Sequence, residues 1–128
     1  MKRLLALTAI LEAPTGLALL SVPAVVVRLL LGAEISGASL SLGRVAGLAL
    51  LALGVACWFA QSDAQSCAAR GVITAMTLYN LGAVVVLGIA GIQSQPVGIV
   101  LWPAVILHAA MTAWCITSLL RKPAQKAK

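Results

Sequence analysis

The sequence predicts an all-α integral membrane protein: an antiparallel up-down four-helix transmembrane bundle with a short interfacial helix after the first span. Three observations lead there. Residues 4–22, 42–60, 72–91 and 98–119 each come close to the roughly 20 apolar residues that a membrane-crossing helix needs at about 1.5 Å rise per residue. Hydrophobic residues make up 62% of the sequence and charged residues 9%, with a mean hydropathy of +1.07. A water-soluble fold needs a polar coat that such a composition does not supply. The connections are also short, which makes consecutive spans antiparallel neighbours. The four spans with their three short connections use up nearly all of the 128 residues, so residues 1–128 read as a single transmembrane domain.

In span 1, Met1-Lys2-Arg3 and the apolar run behind it imitate a secretory signal. Glu12 follows that run directly and no small-x-small site precedes the loop, so the segment reads as a retained span. Pro14 removes the helical partner of the residue 10 carbonyl and should bend the helix. Pro23 either ends the span or lies within one long tilted helix that reaches Leu31. The break is the favoured reading, with residues 24–32 as a short helix along the interface and Arg28 reaching to the headgroups. Residues 34–41, rich in Gly and Ser, form the external connection.

Span 2 carries Gly43, Gly47 and Gly54. Gly43-xxx-Gly47 puts two glycines on one face, where a helix of this chain or of another protein can approach closely. Trp58, Trp102 and Trp114 fall at belt positions near span ends. The middle loop, residues 61–70, holds Asp63, and Gln93-Ser94-Gln95-Pro96 makes an uncharged turn before span 4.

The charge pattern sets orientation. Lys2, Arg3, Arg70, Arg121, Lys122, Lys126 and Lys128 are seven of the nine basic residues, and four spans place all of them on one side. Only Arg28 and Arg44 belong to the other side. The positive-inside rule makes the basic side cytoplasmic, with both termini there. The net charge of +6 then serves orientation and contact with anionic lipid rather than nucleic acid. Near the external boundary Arg28, Glu34 and Arg44 form a second charge group, read as headgroup contact with a weak surface ion pair; Arg44 is a candidate lock for Glu34.

Candidate chemistry lies where polar groups are most costly. Glu12 is about eight residues from the cytoplasmic end of span 1, roughly 12 Å deep. Asn80 is about nine residues into span 3, roughly 13 Å deep, and His108 about eleven residues from the inner end of span 4, roughly 16 Å deep. The three share one layer, and a carboxylate in hydrocarbon costs at least ~2.5 kcal/mol, so Glu12 should face the interior or be neutral. Three readings are open: a structural hydrogen-bond knot, which is favoured, a site for a proton, ligand or cofactor, or no mutual contact. Met111 and Cys115 share a helix side with His108. Such donors suit copper or one axial position of a haem, but a lone histidine completes neither. Cys57, Cys67 and Cys115 lack a CxxC spacing and read as free thiols. No metal site, catalytic residue or cofactor is expected; lipid contacts are, with haem or quinone near His108 as the alternative.

Two resemblances bear on function. Ala9-Ile10-Leu11-Glu12-Ala13 resembles the setting of the membrane glutamate in small multidrug-resistance transporters. It covers about a dozen residues, and one Tyr and one Phe cannot line an aromatic cation pocket. Gly43-Arg44-Val45-Ala46-Gly47, Leu78-Tyr79-Asn80 and Leu101-Trp102-Pro103 with His108 are similar to small, mostly uncharacterised four-helix bacterial inner-membrane proteins of the DoxX-like grouping. That resemblance spans most of the chain, implies the fold and the inner (cytoplasmic) membrane location, and transfers no catalytic residue. The expected function is a non-catalytic accessory or scaffold subunit of a larger membrane assembly, packing through Gly/Ala-rich faces against other membrane subunits or copies of itself. The alternatives are a proton-coupled oligomeric transporter around Glu12 and a redox component holding quinone, haem or metal near His108.

Orientation has a direct check. Reporter fusions after Lys128 and within residues 35–41 are expected to report opposite compartments, with the Lys128 fusion cytoplasmic; an external C-terminal reporter would reverse the assignment.

Overall fold

A computed structural model describes residues 1–93 and 96–121. The turn residues Ser94 and Gln95 and the basic tail residues Lys122, Lys126 and Lys128 lie outside the described residues. Five helices follow one another: α1 (Lys2–Ser21), α2 (Pro23–Leu31), α3 (Ala38–Ala60), α4 (Cys67–Gln93) and α5 (Leu101–Leu120), with a 3-10 turn at Gln61–Asp63 after α3. There is no strand among the described residues. Helices α1, α3, α4 and α5 are long and apolar enough to cross a membrane.

The helix ends depart from the apolar stretches in an instructive way. α3 starts at Ala38 and α4 at Cys67, several residues before hydrophobicity begins, because backbone hydrogen bonding continues through polar flanks once a helix is nucleated. α5 instead begins later than expected, at Leu101 rather than Gly98. Gly98 is occupied by a close approach: a Cβ there would collide with the backbone of Leu29 and Leu30. Beside it, the Val100 N–H donates to the Leu29 carbonyl at 3.1 Å, fastening the end of α2 to the start of α5.

The chain breaks at Val22, whose backbone (φ −134°, ψ 57°) is not helical. Pro23 follows at the first position of α2, where its missing N–H leaves no gap in the ladder. α1 therefore ends at Ser21 rather than running on to Leu31. Pro14, by contrast, sits inside a continuous α1. α2 stops at Gly32, whose φ of +70° is the left-handed conformation that glycine adopts without strain, and whose N–H returns to the Arg28 carbonyl.

Two antiparallel hairpins make up the body. In the first, α1 lies along α3 at backbone contact. A Cβ on Gly47 would stand 2.7 Å from the Gly16 carbonyl oxygen and 2.6 Å from the Leu20 nitrogen, and one on Gly54 would stand 2.9 Å from the Ala13 nitrogen. The glycine face of α3 thus meets a helix of its own chain, with Gly43 against Pro23 of α2. In the second hairpin, the Arg70 guanidinium of α4 donates to the Leu119 carbonyl of α5 at 3.1 Å. It supplies a cation to orphan carbonyls at a helix C-terminus. At the other end Gly91 packs against Leu101 and Trp102.

The hairpins join at the end that holds the chain start. Leu4, Leu5 and Ala9 of α1, Cys57 of α3, Ala69, Ile73 and Met76 of α4, and Met111 and Cys115 of α5 form a buried cluster. Toward the α2 end the hairpins separate, and α2 bridges them.

Overpacking tests the first hairpin. Gly47→Leu is expected to lower stability by ~1–3 kcal/mol in detergent thermal unfolding, because the backbones must part. Gly82→Ala, where a Cβ meets nothing within 4 Å, should instead be neutral or slightly stabilising. Equal effects from the two would refute the close seam.

Candidate functional site

Asn80 and His108 meet across the α4–α5 seam. The Asn80 side chain is 1% exposed. Its Nδ2 donates to the Met76 carbonyl one turn back at 2.7 Å, and its Oδ1 lies 2.7 Å from His108 Nδ1. The Met76 carbonyl can only accept, so it fixes which end of the amide is NH₂ and leaves Oδ1 facing the ring. Nδ1–H is therefore the donor in this bond, and in the neutral ring Nε2 is left as an acceptor. Tyr79, the residue before Asn80, meets the imidazole edge to face, with ring centroids 5.5 Å apart and planes at 84°. The ring is thus held on one edge by a hydrogen bond and on its face by an aromatic contact.

Glu12 stands apart from this pair. It is 7% exposed, buried in the face of α1 that continues through Leu5, Thr8, Ala9 and Gly16. Among the described residues it makes neither a hydrogen bond nor an ion pair with Asn80, His108 or any other side chain. Its bonding is therefore separate from that of the Asn80–His108 pair.

Between the two hairpins, toward α2, lies an open cleft of about 810 Å³. Leu19 of α1 and Leu50 and Leu53 of α3 form one wall; Gly82 and Val86 of α4 and Ala104 of α5 form the other. Val26 and Leu30 of α2 also line it. Tyr79 and His108 stand at its margin, and Thr15, also at the margin, returns its hydroxyl to the Leu11 carbonyl at 2.7 Å. The cleft is apolar apart from three residues that carry polar groups, His108, Tyr79 and Thr15.

The remaining candidates are dispersed. Met111 and Cys115 lie in the buried cluster with Cys57, and Cys57 and Cys115 are both free thiols. No group of three or more His, Cys, Asp or Glu side chains comes together for a metal among the described residues. Glu34 pairs with Arg28 at 3.3 Å, both highly exposed, and not with Arg44: the left-handed turn at Gly32 brings the chain back on α2. Such an exposed pair contributes under about 1 kcal/mol.

Three participants were missing from the sequence reading. Gly16 is the partner of Gly47, and the small residues Ala6, Ala9, Ala13 and Gly16, three or four apart along α1, are the signal that could have marked it. Arg70 reads as a loop charge and is a helix-end ligand. Tyr79 is a lone aromatic whose role appears only once His108 is placed beside it. The comparisons add no relative: the chain matches no family model, no curated protein and no solved structure.

The pair and the lone acid differ in what their replacement removes. Asn80→Leu leaves Nδ1–H without its acceptor and is expected to cost ~1–3 kcal/mol in thermal unfolding. Glu12→Gln has no bond to lose and should shift stability by less than about 0.5 kcal/mol. A loss on Glu12→Gln as large as that on Asn80→Leu would mean that the acid belongs to the same network.

Proposed function

We propose that this chain is an up-down four-span protein of a bacterial inner membrane, both termini cytoplasmic, acting as a non-catalytic accessory subunit of a larger membrane assembly. The DoxX-like resemblance and the basic-residue pattern support the setting. The observation that carries the subunit role is one face of α4. Gly71, Ala75, Leu81, Val85 and Ile89 fall on one side of the helix, all are exposed, and none lines the cleft. α4 is also the longest and least buried of the four candidate spans.

The contrast with α3 gives that face its meaning. The α3 glycines Gly43, Gly47 and Gly54 all abut α1 or α2, whereas Gly71 on α4, outside the cleft, has open space where a Cβ would point. Glycine lowers helix propensity, and in a membrane it is best repaid by letting a second backbone come close. The stripe fits a helix of another subunit or of a second copy.

Light scattering in mild detergent tests the reading. The extracted particle is expected to contain more protein than the 13.1 kDa of one chain. Gly71→Leu with Ala75→Leu, both outside the cleft, should reduce it to one chain without changing thermal unfolding. A native particle of one chain, or a variant that keeps its mass, would overturn the proposal.

A further inference from the structure

We propose that the cleft between the hairpins binds one small membrane-dissolved amphiphile, an aliphatic body with a single hydrogen-bond-donating head (an alcohol or a protonated acid) that donates to His108 Nε2. The volume, about 810 Å³, falls within the roughly 300–1,000 Å³ of small-molecule sites. Aliphatic side chains from both hairpins line it, and no Lys, Arg, Asp or Glu does. A charged headgroup finds no counterpart there.

The polar end of the site is specified more closely than its walls. The Met76 carbonyl orients Asn80, and Asn80 fixes the proton on Nδ1, leaving Nε2 of the neutral ring as an acceptor. No fully buried side-chain nitrogen or oxygen among the described residues lacks a hydrogen-bond partner. Nε2 has none, so it is accessible, on a residue that lines the cleft. Tyr79 restrains the ring from rotating away. An acyl chain alone would leave this acceptor bare in an apolar site, which is unfavourable; a hydroxyl head satisfies it. Val26 and Leu30 of α2 add two more aliphatic side chains to the lining.

His108 is the single histidine, so its ring nitrogens can be observed without interference. The full chain, labelled with nitrogen-15 histidine in detergent micelles, is titrated with 1-dodecanol and in parallel with dodecane. Before addition the spectrum should show Nδ1 protonated and Nε2 bare. Dodecanol should then move the Nε2 resonance in the direction of an accepted hydrogen bond, saturating at one molecule per chain, while dodecane leaves it unmoved. Ala49→Phe, which fills the cleft from an exposed position on α3, should abolish the response and keep the Nδ1–H signal. An equal response to dodecane would mean an apolar lipid slot and overturn the donor head. A proton on Nε2 before addition, no saturable response, or a response that survives Ala49→Phe would each overturn the site.

Discussion

The backbone contact between Gly16 and Gly47 is the constraint on which the rest of the molecule depends. Helices in an apolar medium gain little from hiding hydrophobic side chains from one another, so close packing has to hold them together. With no Cβ on either glycine, α1 and α3 approach until backbone touches backbone. That fixes the rotation of α1 about its axis. Leu4, Leu5, Thr8, Ala9, Glu12 and Gly16 then turn inward together, and Thr15 and Leu19 are left to face the cleft.

The second hairpin is held differently, by polar bonds at one end and in its middle, with the close contact of Gly91 on Leu101 and Trp102 at the other end. Arg70 binds the Leu119 carbonyl near the end of α5, and Asn80 binds His108. Both bonds satisfy groups whose alternative in an apolar environment is no partner at all. The two hairpins are thus fastened within themselves by distinct means, and they share a core only at one end. At the other end α2 spans the gap, held by the Val100–Leu29 backbone bond.

Much of this was legible in the sequence and some could not have been. Long apolar runs give the four long helices because length and hydropathy are summed over about 20 residues and tolerate local error. The break at Val22 follows from Pro23, since a proline is strongly favoured at a helix start. Depth arithmetic puts Glu12, Asn80 and His108 at one level but says nothing about rotation around each helix axis. Rotation decides that Asn80 reaches His108 while Glu12 faces the core cluster. Likewise, the partner of Glu34 is set by the handedness of one glycine, so that Arg28 is chosen over Arg44. The cleft is a property of two hairpins together and has no signature in either.

The way the two hairpins divide the chain also orders their assembly. α1 and α3 are close in sequence, with only α2 and its flanks between them, as are α4 and α5, and local contacts of this kind favour rapid formation. During synthesis the first hairpin has all its partners before α4 is made. Docking of the second hairpin onto Leu4, Leu5 and Cys57 is then the late step, and α2 is joined to Val100 only after α5 begins. If the four long helices cross a bilayer as proposed, the lipid between the hairpins at that moment borders the cleft as the bundle closes, and the membrane around the nascent chain is the first reservoir for the proposed occupant.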